Sequence, residues 1–186
     1  MQYLLYNKMR FPRRNKIARN CDLDKNIKYR QIIEFKPKGY WYSLGSEWFD
    51  FWFLKLELEK VKSQVVCEIK IKRNDFTKFG EKDKGKILVI DSLEEVKKIN
   101  KKYGVLQRFR DDEKPVRLIN FQKLSEKYGG IEFRNYKQIR KQIKENKKLN
   151  WRRDYLWYFS LDVSSGCIWD LSLIEVEKKG KLKDFV

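Results

Sequence analysis

The stretch KILVIDSLEEVKKINKKYG, Lys86 to Gly104, decides the fold class. Lys86 to Ile90 is a short apolar run, the signature of a buried strand. Ser92 and Glu95 then form an S-x-x-E capping box, so the chain changes from strand to helix within a few residues. The helix is expected to reach about Tyr103, where Gly104 stops it. Downstream, Arg117 to Asn120 reads as a short strand and Phe121 to Tyr128 as a short helix ended by Gly129 and Gly130. GIEF, Gly130 to Phe133, reads as a further strand. Tyr136 to Leu149 reads as a helix whose outer face is nearly all Lys and Arg. Tyr155 to Val163 and Cys167 to Glu177 read as two strands joined by a turn at Ser164-Ser165-Gly166.

Upstream the same mixture continues. VVCEIKIK, Val65 to Lys72, alternates with period two. Trp48, Phe49, Trp52, Phe53 and Leu56 recur at helical spacing behind Ser46, an N-cap, which predicts a helix from about Glu47 to Val61, although LKLELEKV alternates with period two and reads equally as strand over the second half. Gly39 to Ser43 is aromatic and strand-like, after a turn at Pro37 and Gly39. Tyr29 to Phe35 and Gln2 to Tyr6 read as strands, and Met9 to Arg30 as a long basic arm or loop. Strands and helices alternate without a strict βαβ repeat, and no linker or internal repeat divides the chain. One α+β domain over residues 1–186 is expected.

Composition narrows the chemistry. The chain of 186 residues carries 44 Lys and Arg against 26 Asp and Glu, a formal charge of +18. So large an excess repels itself unless an anion lies nearby, which points to nucleic acid or another acidic macromolecular partner. Histidine is absent, which removes imidazole bases, histidine-dependent triads and His-ligated metal sites. The three cysteines, Cys21, Cys67 and Cys167, are scattered and odd in number. They predict neither a zinc site nor a disulfide, and a reducing intracellular setting, in cytoplasm or virion, fits them. No apolar run approaches the roughly 18 residues of a membrane span, so no membrane partner is expected.

Two constellations stand out. The basic arm carries Arg10, Arg13, Arg14, Lys16 and Arg19, and the helix after Tyr136 carries Lys137, Arg140, Lys141 and Lys144. WRRDYLWYF follows, with Arg152 and Arg153 among Trp151, Tyr155, Trp157 and Tyr158. Such cations neutralise phosphates without reading sequence, and rings beside Arg can stack on the bases of a single strand. The plain alternative is a solvated, lysine-rich surface. The second constellation is acidic: Glu34, Glu47, Asp50, Glu68, Glu132, Asp162 and Asp170 lie on or beside expected core elements. Such carboxylates act as tuned acids or bases, or they cap helices and pair with the abundant cations. There is no phosphate-loop glycine motif and no carboxylate spacing of a metal nuclease.

The blocks KPKGYWYSLGSEWFDFW, INFQKLSEKYGGIEF and LWYFSLDVSSGCIWDL, in that order, resemble a group of phage and large-virus proteins with KPxGLWYS, Y-GIE and SGCIW blocks. That group is similar to the ADP-ribosyltransferase fold. The resemblance implies a bent, split, mostly antiparallel sheet flanked by helices, and an NAD site. Trp41, Tyr42 and Ser43 would match the second-strand step that holds the nicotinamide ribose. Glu132 would match the late carboxylate that steadies an oxocarbenium-like transition state. The family's first strand carries Arg or His; this chain reads Tyr6-Asn7-Lys8, so Asn7 or Arg10 would have to grip NAD there. Two functions follow: an NAD-binding transferase of ADP-ribose, active or decayed, or a non-catalytic basic protein of a virion or ribonucleoprotein. The aromatic run of Lys36 to Phe53 is equally readable as a core turn and a buried helix face.

Overall fold

The structure, a computed structural model, describes residues 15–18, 21–45, 47–48, 65–81, 84–109 and 114–181. The expected strand at Gln2 to Tyr6, most of the aromatic helix after Ser46, and Asn7, Arg10, Arg13, Arg14, Arg19 and Asp50 lie outside the described residues. The described strands are β1 (Lys16–Ala18), β2 (Ile33–Glu34), β3 (Tyr40–Leu44), β4 (Val65–Ile71), β5 (Phe76–Thr77), β6 (Ile87–Ile90), β7 (Gly104–Gln107), β8 (Val116–Asn120), β9 (Gly130–Phe133), β10 (Ser165–Ile168) and β11 (Ile174–Lys181). The described helices are α1 (Leu93–Tyr103), α2 (Phe121–Ser125), α3 (Tyr136–Glu145), α4 (Trp151–Asp154) and α5 (Leu156–Phe159). The chain is α+β.

Eight strands form a curled sheet in the order β11-β4-β1-β3-β10-β9-β6-β5, and β2-β8-β7 form a separate small one. Only β5 with β6 and β6 with β9 run parallel; the other described pairings are antiparallel. Both faces of the large sheet are buried along β10, β9 and β6, which is why β6 is apolar at every position. One face, with Leu88, Ile90, Ile131, Phe133 and Cys167, packs against helix residues such as Val96, Ile99, Ile139 and Trp157. The other, with Tyr40, Tyr42, Ile69, Ile87 and Ile168, encloses a smaller core closed by Leu171 and Ile174.

The capping box opens α1 as expected. Ser92 Oγ accepts from the Glu95 amide (3.4 Å), and the Glu95 carboxylate accepts from the Asp91 amide (2.8 Å). Gly104 ends the helix but is not left-handed; its φ is −72°. Glycine is needed for space, since a Cβ there would lie 2.6 Å from Arg117 Cδ, and the chain turns at once into β7. Four expectations are corrected. The segment read as a strand from Tyr155 to Val163 is instead the short helix α5 followed by a turn, because the rings of Trp157 and Tyr158 wedge against Phe133 directly after α4. The helix after Tyr136 stops at Glu145, where Asn146 redirects the chain by accepting from the Lys148 amide (3.0 Å). Gly166, read as a turn residue, lies inside β10. Within the stretch read as a basic arm, Lys16 to Ala18 form the interior strand β1.

The cysteine reading is also corrected. Cys21 and Cys67 form a disulfide with Cα atoms 5.5 Å apart, and Cys167 is free and buried. The antiparallel pairing of β1 with β4 puts Ala18 opposite Cys67, so the chain just past β1 returns to the same point. Spacing in the sequence carries no trace of that proximity. The bridge closes a loop of 46 residues, for which chain entropy alone gives about 4 kcal/mol. Cys21→Ser is expected to lower unfolding stability by about 2–4 kcal/mol in urea titration, with a comparable loss on reduction of the wild type. Equal midpoints with and without reductant would show that the bridge contributes nothing.

Candidate functional site

Tyr42, Gly166 and Glu132 occupy one row across three adjacent strands: Gly166 is paired with Tyr42 on one side and Glu132 on the other. All three side-chain positions therefore share a face. Gly166 has no side chain, so the Tyr42 ring lies flat over β10; a Cβ at 166 would fall within 2.6 Å of ring atom Cε1. The phenol thereby crosses a whole strand and donates to Glu132 Oε2 at 2.6 Å. Arg134, two residues on along β9 and hence on the same side, donates to Oε1 at 2.6 Å. Lys16 Nζ from β1 stands 3.5 Å from Oε2. Phe76 on β5 carries both cations against its ring, Lys16 at 5.1 Å and Arg134 at 5.6 Å.

Tyr42 and Glu132 are both 0% exposed. A buried carboxylate is tolerable only when its lone pairs are met by donors and its charge by cations, and this cluster supplies both. Burial, then the neighbouring Glu132 charge, pushes the Tyr42 phenol well above its ordinary value, so it is a fixed donor. Of the Trp-Tyr-Ser step only Tyr42 faces the late glutamate, and it does so in direct contact, so the two side chains fill the space between them. Trp41 projects to the opposite face and packs against the larger core, while Ser43 is buried and donates weakly to Gly45 O (3.3 Å). Lys16, expected on a phosphate-binding arm, has a side chain only 14% exposed and is held by Glu132.

The other singled-out acids have structural tasks. Glu47 accepts from the Ser164 amide (2.9 Å), Glu68 pairs with Lys179 (3.1 Å), Asp162 with Lys36 (3.6 Å), and Asp170 caps a 3₁₀ turn. Glu34 accepts from the following amide, that of Phe35 (3.0 Å). At the carboxyl ends of β5 and β6, Lys78 bonds Asp91 and lies 3.8 Å from Glu95. The Lys78 hydrogen bond holds the Asp91 carboxyl below its usual range. Among the described residues no group of His, Cys, Asp and Glu side chains is arranged to hold a metal ion, and no helix is long and apolar enough to cross a membrane.

The basic elements form a second, open site. On α3, Tyr136, Ile139 and Ile143 are buried, which turns Lys137, Lys141 and Lys144 to solvent with Arg140 at the margin. The one acid on that helix, Glu145, lies 3.8 Å from Lys141. The rings after it meet one another: Trp151 stacks on Phe159 at 4.9 Å, with Arg152 and Lys144 over Trp151 and Arg140 over Phe159 at 5.0 Å. Arg153 donates to both oxygens of Asp154, the closer at 2.8 Å, so its charge is largely committed. Beyond α4 the sequence reading missed a depression of about 380 Å³ between α1, β8 and α4, lined by Lys97, Lys101, Arg117 and Lys148. Lys97 and Lys101 share one side of α1 by their i, i+4 spacing, a legible signal; their meeting with Arg117 and Lys148 is tertiary.

Comparison of the chain with protein-family models, curated proteins and solved structures gives no match in any of the three.

Two outcomes follow from the buried cluster. Glu132→Gln is expected to cost about 3 kcal/mol, because Lys16 and Arg134 lose their counter-charge, and Tyr42→Phe about 2 kcal/mol. Gly166→Ala should exceed Tyr42→Phe, since the ring must leave β10 altogether. Urea midpoints of the purified variants check the order; a Gly166→Ala as stable as wild type would refute the stacked row. The second outcome concerns alkaline pH. Burial raises Tyr42 and pushes Tyr40 up to about 12. A raised folded value stabilises fully below the unfolded value of 10.0 and is lost as pH climbs toward the folded one. Stability should therefore fall above about pH 10, with phenolate absorbance appearing together with loss of circular dichroism. Phenolate signal well before unfolding would mean the phenols are accessible.

Proposed function

We propose that this chain is a non-catalytic nucleic-acid-binding protein that holds phosphates with the face formed by α3 and α4. The observation carrying the reading is the excess of cations at Lys137, Arg140, Lys141 and Lys144 on α3 and Arg152 on α4 over the single acid Glu145 of α3, a helix whose other side is anchored in the core. Its binding is sequence-tolerant: Trp151 and Phe159 stack on each other and under cations, so phosphates are held and bases are not read. An NAD-dependent transfer of ADP-ribose is less well supported, because Glu132 gives its oxygens to Tyr42, Arg134 and Lys16 rather than to an open cleft.

Five phosphate contacts imply a slope of log affinity against log salt of about −4.5 on duplex DNA, a loss of several hundred-fold between about 50 and 200 mM salt. Replacing Lys137, Lys141 and Lys144 together by Ala should make the slope shallower by about 2.7. Fluorescence anisotropy with two unrelated duplexes measures both, and the two should bind alike. A salt-independent affinity would remove the reading. Saturable heat from NAD that disappears in Glu132→Gln would favour the transferase instead.

A further inference from the structure

We propose that the depression between α1, β8 and α4 binds a phosphomonoester, and that in use it receives the phosphorylated end of the strand carried by α3. The second clause rests on the nucleic-acid reading; the first does not.

The depression is cationic by construction. Lys97 and Lys101 come from α1, Arg117 from β8, Lys148 from the turn after α3 and Arg153 from α4, with Asp154 as the acid among the lining residues. Asp154 does not cancel them all. Arg153 grips it through Nη2 at 2.8 Å and Arg117 through Nε at 3.2 Å. Burial works against its charge, but these two guanidinium groups hold it ionised below the usual carboxylate range. Arg117 meets Asp154 by Nε alone, which leaves the terminal amino groups of its fork for a second anion. Lys97 pairs with Glu94 at 2.7 Å, whereas Lys101 and Lys148 have no acid partner among the described residues.

The neutral donors fit the same ligand. Asn100 is buried; its Oδ1 accepts from Trp157 Nε1 at 3.0 Å and its amide also bonds the Tyr155 side chain, which fixes it at the wall of the depression with one N–H of the NH₂ to spare. Asn150 likewise commits its oxygen to the Arg153 amide at 3.1 Å. Two oriented amides and two lysines without an acid partner, Lys101 and Lys148, beside the Arg117 fork in a recess suit a compact dianion better than a phosphodiester. A phosphodiester carries one charge and must run on at both ends, as it can along the α3 ridge. A terminal phosphate carries close to two charges at neutral pH and can enter end-on. The volume, about 380 Å³, admits a nucleotide.

The test uses one short single-stranded oligonucleotide in three forms: hydroxyl ends, a 5′-phosphate and a 3′-phosphate. Their affinities for the full chain are compared by anisotropy. One phosphorylated form should bind about tenfold tighter than the hydroxyl form, and Lys101→Ala with Lys148→Ala should abolish that ratio. Both lysines are exposed, so the double variant is expected to fold. Equal affinities in the wild type, or a ratio that survives the double variant, would overturn the proposal. If no oligonucleotide binds, the nucleic-acid reading fails by itself, and titration with adenosine monophosphate decides the depression. Shifts of the Asn100 and Asn150 side-chain amides with the monophosphate but not with adenosine would sustain it; no shift would overturn it.

Discussion

A single hydrogen bond organises the larger sheet: the Tyr42 phenol donating to Glu132 across Gly166 at 2.6 Å. The contact is possible only because β10 offers no side chain at 166, so an aromatic ring can cover glycine backbone and reach the next strand. Tyr42 belongs to the antiparallel part of the sheet, and Glu132 stands on the strand where the parallel part begins. The bond therefore fixes the row in which the two parts meet. A slip of β10 by one residue would put the Ser165 or Cys167 side chain under the ring and turn the carboxylate's partners to the wrong face. Lys16 and Arg134, against Phe76, bring β1 and β5 into the same arrangement.

Charge is distributed accordingly. The buried anion is surrounded by its own cations, and the outer strands neutralise themselves: Glu177 bonds Lys70 and Lys179, and Glu68 bonds Lys179. These exposed pairs contribute little to stability. Their effect is to leave the excess of +18 less expressed at the β11 edge and more expressed on α3, α4 and the neighbouring depression. A field concentrated on one side attracts a polyanion and orients it on approach. Asp154 is the internal organiser there. By holding Arg117 and Arg153 it sets the wall of the depression, while the stacked pair of Trp151 and Phe159 ties α4 to α5, with Lys144 and Arg140 of α3 over the two rings.

Local signals were legible where the chain itself supplies the partner. The Ser92 and Glu95 capping box, the apolar run of β6, the alternation of β4 and the amphipathic α3 each lie within one element, and each reads correctly. Signals failed where the partner is remote. LWYF at Leu156 to Phe159 has strand-like composition, yet packing against the remote rings of Phe133 and Tyr136 makes it helical. Cys21 meets Cys67 only through the β1–β4 register, and Gly166 looks like a turn residue until Tyr42 is seen lying over it. At the site, sequence brought Tyr42 and Glu132 together by resemblance. Their direct bond, and the capture of Lys16 from the basic arm, follow from strand order, which no spacing encodes.

That capture bears on what the cluster is able to do. A carboxylate that steadies a cationic transition state must present a free lone pair to the reacting centre. Glu132 has one oxygen on Arg134 and the other on Tyr42 and Lys16, and its own carboxylate is fully buried beneath them. Admitting a sugar would break at least one hydrogen bond to a charged group, about 1.5–3 kcal/mol, and would lift the ring off β10. It would also desolvate a new polar ligand in the same step. Binding energy would have to cover all three before any chemistry began. The proposed anion surface carries no such cost: Lys137, Lys141 and Lys144 on α3, and Lys101 and Lys148 at the depression, are exposed, and an anion there would replace water without opening the core. The geometry thus favours charge-led binding at the surface, with the interior carboxylate serving to hold the strands that support it.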